Sequence, residues 1–108
     1  MPWRLEKINR LIKEEIAKII LRELEFGSIL VTVTKVEVSS NLEQAVVWVS
    51  IFPSSENKLV FQILNKNIYH LQQVLNKKLK IKPVPKIKFE EDQTIQEMDR
   101  IDRLLKKK

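Results

Sequence analysis

The sequence predicts one α+β domain with elements in the order α-β-β-α-α-β, a three-stranded sheet with the helices packed mainly on one face, followed by a C-terminal helix. Three observations lead there. Apolar residues recur at helical spacing in an N-terminal, a central and a C-terminal stretch, each giving an amphipathic helix. Two Val-rich runs between the first two helical stretches read as strands, and Pro83 and Pro85 introduce a shorter alternating run. A chain of 108 residues has room for one such core.

In the first helix, residues 4–23, Leu5, Ile8, Ile12, Ile16, Ile19 and Ile20 share a face, and Lys7, Arg10, Lys13, Glu14 and Lys18 occupy the other. Glu14 and Lys18 stand in the favourable order for a helical ion pair. Gly27 supplies a break before the first strand. In residues 30–39, Val31 and Val33 fall on one face, but Val36 and Val38 continue one residue out of step. An extra residue near Thr34-Lys35 restores the facing, which predicts a β-bulge. Residues 39–43 read as a turn, with Asn41 suited to left-handed geometry. The second strand, residues 44–52, is apolar on both sides: Ala45, Val47, Val49 and Ile51 on one, Val46, Trp48 and Phe52 on the other. That pattern suits the central strand of a sheet.

Pro53 ends this strand and Ser55 is placed to cap the next helix. Leu59, Ile63, Leu64, Ile68, Leu71, Val74, Leu75 and Leu79 keep helical spacing over a long stretch. A kink is expected at Asn65-Lys66-Asn67, because asparagine lowers helix propensity and diverts hydrogen bonds locally. The third strand covers residues 86–90, with Ile87 and Phe89 alternating with Lys86 and Lys88. Thr94-Ile95-Gln96-Glu97 is a capping-box sequence, and Ile95, Met98, Ile101, Leu104 and Leu105 form the stripe of a last helix before Lys106-Lys107-Lys108. Residues 1–92 are therefore expected to form the domain, and residues 93–108 a C-terminal helix with a basic tail.

Composition removes several classes of function. With 44% hydrophobic and 31% charged residues the chain is globular, and its apolar clusters are too short to span a bilayer. The start, Met1-Pro2-Trp3-Arg4, lacks a signal-peptide core, so a cytoplasmic location is expected and no membrane partner. There is no cysteine, which excludes disulfides, thiolate metal sites and thiol nucleophiles, and His70 is the sole histidine. No metal, no cofactor and no catalysis are expected. A single glycine, Gly27, excludes a Walker loop, a GxGxxG turn and the GxxG loop by which ordinary KH domains clamp nucleic acid. Against this, 20 Lys+Arg face 14 Asp+Glu, a net charge of +6 that favours a polyanionic partner.

The element order is similar to the αββααβ arrangement of type II KH domains, and particular residues narrow the choice. The run Leu30-Val31-Thr32-Val33-Thr34-Lys35-Val36-Glu37-Val38-Ser39, then Asn41-Leu42, Ala45 and Val47-Trp48-Val49-Ser50, resembles the VTVTxVEVSxDLxxAxVYVS segment of the ribosome-binding factor A family. Arg22-Glu23, the leucines Leu71, Leu75 and Leu79 leading to Val84-Pro85 and Phe89, and the ending from Asp92-Gln93-Thr94-Ile95 to Leu104-Leu105 extend the resemblance over nearly the whole chain. Two places depart from the family pattern: Glu25-Phe26-Gly27-Ser28 replaces an Asp-Pro-Arg-like turn, and Asn67-Ile68-Tyr69 replaces an Ala-x-Gly kink. A bend between Asn65 and Tyr69 without an extended loop is expected. The resemblance implies a KH-like, cytoplasmic, non-catalytic factor in ribosome biogenesis. It would bind the immature small ribosomal subunit and its ribosomal RNA, assist processing of that RNA near its 5′ end, leave before translation, and use no cofactor. DNA is not an expected partner. A monomer is expected, since no heptad seam is long enough for a coiled coil.

Within the chain, Lys77, Lys78, Lys80, Lys82, Lys86 and Lys88, six lysines in twelve residues, are the foremost candidates for RNA contact. Lysines at a helix C-terminus also complement the helix dipole, but one or two suffice for that. Arg4, Lys7 and Arg10 form a second basic group, which can equally be the solvated side of the first helix. Trp48 reads either as core or as a base-stacking residue, and His70 as a surface residue or a stacking one. The competing function is a protein-interaction adaptor that binds through Val46, Trp48 and Phe52 on an exposed sheet face.

Overall fold

The computed structural model describes residues 2–93. Its elements are α1 (Pro2–Glu23), β1 (Leu30–Val38), β2 (Gln44–Phe52), a 3-10 turn at Ser54–Glu56, α2 (Asn57–Lys66), α3 (Ile68–Lys78) and β3 (Lys86–Glu91). The expected C-terminal helix and basic tail lie outside the described residues. The strands form one sheet in the order β1-β2-β3, with β1 and β2 antiparallel and β2 and β3 parallel. The fold is the expected α+β arrangement, with β2 in the centre.

Alternation along the strands sets which face is covered. Val33 and Val36 of β1, Ala45, Val47, Val49 and Ile51 of β2, and Ile87 and Phe89 of β3 are buried. They meet Ile12, Ile16, Ile19 and Ile20 of α1, Val60 and Leu64 of α2, and Leu71 and Leu75 of α3 in one cluster. All three helices thus contribute to a core on one face of the sheet, and residues between the buried strand positions face the other way. The phase change in β1 is resolved as expected: the β1–β2 register shifts between Val33 and Lys35, leaving Thr34 as the extra residue. Its hydroxyl donates to Asp92 at 2.6 Å.

The helical stretch breaks where its asparagines predict. Asn67 stands between α2 and α3 with φ −104° and ψ 7°, and its side-chain amide donates to the Ile63 carbonyl at 2.8 Å. One residue makes the bend and no extended loop intervenes, so the break needs no glycine. Gly27 takes φ +61° in the turn closed by the Ile29 N–H and the Phe26 carbonyl, and no atom lies within 4 Å of where its Cβ would be. It is required for its backbone angle and not for space.

Several local expectations are corrected. Ser55 does not cap α2: it lies in the 3-10 turn, Glu56 precedes the helix, and no side chain bonds to the free N–H groups there. Lys18 pairs with Glu15, three residues back, at 4.0 Å and not with Glu14, four back. The helix ends at Lys78, ahead of Pro83, and Leu79 is buried in extended backbone. In the β1–β2 turn it is Leu42, not Asn41, that has positive φ, at 61°; the Asn41 Oδ1 accepts instead from the Ser39 hydroxyl and the Glu43 N–H. The third strand runs one residue past its expected end, through Glu91.

Both sheet edges are covered by helix side chains. Asn9 of α1 accepts from the Val38 N–H at 2.8 Å on the β1 edge. On the β3 edge, Gln72 of α3 accepts from the Ile87 N–H at 2.8 Å and donates to the Pro85 carbonyl at 3.0 Å. The Gln72 amide thereby stands in for a neighbouring strand and closes an edge open to pairing with another chain.

Candidate nucleic-acid interface

The first turns of α1 lie against two connections that are distant in sequence, the β1–β2 turn and the segment between α3 and β3. Ile8 and Leu11 from α1, Leu42 from the turn, and Ile81 and Pro83 from the segment before β3 form the apolar floor of a half-open groove of about 410 Å³. Arg4, Lys7 and Lys82 stand at its rim, and among the described residues no acidic one lines it. Arg4 and Lys7 are exposed. Lys82 donates to the Asn76 carbonyl at 2.9 Å, which leaves two of its three N–H donors for another acceptor. The first turn of α1 carries no acidic residue, so the partial positive charge of the helix end adds to that of Arg4.

Two basic groups that are separate in the sequence therefore contribute to one site. The sheet also divides the six-lysine cluster. Lys77 and Lys78 occupy the last turn of α3, and Lys80 and Lys82 follow it in the connection. Lys86 and Lys88 alternate with buried Ile87 and Phe89 on β3, so they project from the sheet face away from the helices. Lys86 borders a second hollow of about 330 Å³ that shares Leu42 and Pro83 with the groove, whereas Lys88 is paired with Glu90 at 3.2 Å. Arg10 is exposed on α1 and does not line the groove. The apolar floor escaped sequence reasoning, although Leu42 among the polar residues of a turn was a usable signal.

The helix break lies at the other end of α1. His70, in the first turn of α3, places its Nε2 2.6 Å from a carboxylate oxygen of Glu23, the last residue of α1. At 1.5 Å per residue, roughly 25 Å of helix separates this contact from the groove. The hydrogen bond with His70, reinforced by the charge of its ring, holds the Glu23 carboxyl below its usual range. A lowered value in the fold contributes stability above the ordinary Glu value of 4.5 that is lost as acid protonates the folded carboxylate. Substituting His70→Ala is expected to move the Glu23 midpoint upward in an NMR titration of the side-chain carboxyl. An unchanged midpoint would mean that this contact is not formed in solution.

Trp48 is not part of the core. It is half-buried on the sheet face away from the helices, in register with Lys35 on β1 and Glu90 on β3. The Lys35 ammonium lies 5.0 Å from the centre of its ring, a cation–π contact. Val46 is also half-buried on this face, and Phe52 is 66% exposed at its end, beside its register partner Leu30 at 63%.

A sequence model of the ribosome-binding factor A family matches residues 4–105. A ribosome-binding factor A from Thermodesulfovibrio yellowstonii is 36% identical over 104 residues, spanning 95% of this chain and 88% of its own. The crystal structure of ribosome-binding factor A from Thermus thermophilus has a TM-score of 0.68 at 22% identity, over 81% of this chain and 94% of its own. A homology model of the Thermus thermophilus factor, fitted into a cryo-EM map of a complex with the 30S particle, has a TM-score of 0.66 at 22% identity, over 78% of this chain and 90% of its own. The two structural likenesses establish a shared fold, and the extent of the sequence match establishes kinship. The chain belongs to the ribosome-binding factor A family, whose members are non-catalytic, ribosome-associated factors.

Proposed function

We propose that this protein binds the immature small ribosomal subunit through ribosomal RNA and assists maturation of that RNA near its 5′ end, as a monomer in the cytoplasm and without catalysis. The observation that carries the reading is the meeting of Arg4, Lys7 and Lys82 around one groove that no acidic side chain among the described residues lines. Neutralised phosphates release condensed counterions, so clustered cations with no acid among them favour a phosphate backbone. The Thermus thermophilus factor fitted into a 30S complex supports the choice of ribosomal particle. Among the described residues no helix is long and apolar enough to cross a membrane. Lys77, Lys78 and Lys80 extend the contact surface along the end of α3, and Lys86 continues it past Pro83. Arg10 and Lys88 are assigned to its margin. Residues 1–92 act as the binding domain, and residues 93–108 as an appended C-terminal helix with a basic tail.

Such a factor works by binding one RNA arrangement more tightly than another, and its effect is limited by that difference in affinity. The tagged full-length protein is expected to co-sediment with free small subunits, to be absent from assembled ribosomes, and to be released steeply as salt rises. Sedimentation independent of salt would favour an adaptor that docks a protein through Val46, Trp48 and Phe52. Absence from small-subunit fractions at low salt would refute the proposal.

A further inference from the structure

We infer that the groove at the N-terminal end of α1 takes the base of an unpaired nucleotide, with neighbouring phosphates on Arg4, Lys7 and Lys82, so that RNA is met there as single strand and not as duplex. This rests on the reading that the protein binds ribosomal RNA, and it specifies the form of RNA accepted at this site.

The argument starts from the mismatch between floor and rim. A site for phosphates alone needs cations and donors, whereas this groove places its three cations around Ile8, Leu11, Leu42, Ile81 and Pro83. In a duplex the base faces are stacked inside, and only phosphates, sugars and base edges reach a protein. Duplex RNA would satisfy the rim and leave the floor in water. An unpaired nucleotide presents both parts together, a flat face of low polarity and a phosphate on either side. The volume of about 410 Å³ falls within the range of roughly 300–1,000 Å³ over which small-ligand sites are built.

Leu42 is a second and independent sign. A leucine at φ +61° is held in backbone that disfavours a branched side chain, in a turn where Asn41 stands next to it. This strain keeps an apolar side chain at the floor, where a glycine or asparagine would fit the backbone more easily. Among the described residues the floor is aliphatic, so the contact there is by aliphatic packing, which discriminates weakly among the bases.

The test compares a short unstructured oligoribonucleotide with a duplex of equal phosphate count, both titrated into the full-length protein. The wild type is expected to favour the single strand by about five-fold, the lower end of what stacking of one base on an aromatic platform provides. The double variant Leu11→Ala, Leu42→Asn leaves the charge unchanged and eases the backbone at position 42. It should lose the preference while keeping its duplex affinity. The variant Arg4→Gln, Lys7→Gln should weaken both RNAs alike. Leu11→Gln, at an exposed helical position, repeats the floor test if the double variant unfolds. Equal affinities in the wild type, or an unchanged preference in the floor variants, would overturn the inference. With small-subunit co-sedimentation intact, that result removes only the nucleotide site; with co-sedimentation also lost, the RNA-binding reading falls too.

Discussion

Replacing Ile16 with alanine is expected to destabilise the fold by about 2–4 kcal/mol, a large part of the roughly 5–15 kcal/mol that holds such a domain together. Ile16 is fully buried in α1, within the cluster that α1 shares with the sheet and with α3. Truncation removes apolar contact and leaves a cavity that the rest of the cluster fills only in part. Alanine is the better helix former, so the intrinsic preference of the backbone acts in the opposite direction, by a few tenths of a kcal/mol. The net sign therefore reports packing and not helix formation. Leu21→Ala is the matched control: Leu21 lies on the same helix but is 77% exposed, and its change should stay within about 0.5 kcal/mol. Urea unfolding gives both numbers. Equal midpoints for the two variants would mean that α1 is not docked on the sheet in solution, and the groove built on its first turns would then lose one wall.

Removing the three rim charges together, Arg4→Gln, Lys7→Gln and Lys82→Gln, is expected to weaken small-subunit binding at low salt by about ten- to a hundred-fold. It should also make the plot of log affinity against log salt shallower by about two to three units. The size follows from counterion release, which contributes somewhat under one unit of slope for each phosphate neutralised. The control removes an equal charge elsewhere, at Lys13, Lys18 and Lys35, which are exposed and line no part of the groove. Lys35 also loses its contact with Trp48, so the control tests the opposite sheet face at the same time. Lys82→Gln gives up a bond to the Asn76 carbonyl at an exposed position, a stability change of about 1 kcal/mol or less that thermal unfolding will register. Should both triple variants show the same affinity and slope, the protein responds to overall charge, and the rim is not its RNA contact.

These variants follow the charges as the tertiary structure regroups them. In the sequence, Lys7 belongs with Arg10, Lys13 and Lys18, and Lys82 with the lysines from 77 to 88. In the fold, Lys7 and Lys82 line one groove, while Lys88 projects from the sheet face away from the helices and is held by Glu90.

What the sequence by itself determined is local. The α1 stripe, the division of β2 into two alternating faces, the bulge at Thr34 and the break at Asn67 were legible because each follows from spacing or propensity within a few residues. The basic character of the chain and the absence of loops that cradle phosphate were legible from composition alone. Only the tertiary structure decided which side Trp48 faces. Both faces of β2 are apolar in sequence, and the packing of α1, α2 and α3 on the other face is a property of the whole sheet. It also decided that Gln72 closes the β3 edge, because a glutamine on a helix carries no mark of the strand beside it. The groove depends on the same long-range geometry. The β1–β2 hairpin sets Leu42 at one end of the sheet, and β3, running parallel to β2, must start at that end. The chain leaving α3 therefore has to return there and brings Ile81, Lys82 and Pro83 to the first turns of α1. Residue patterns encode which side of an element is buried, but the meeting of distant segments follows from strand direction and chain connection, which no local periodicity records.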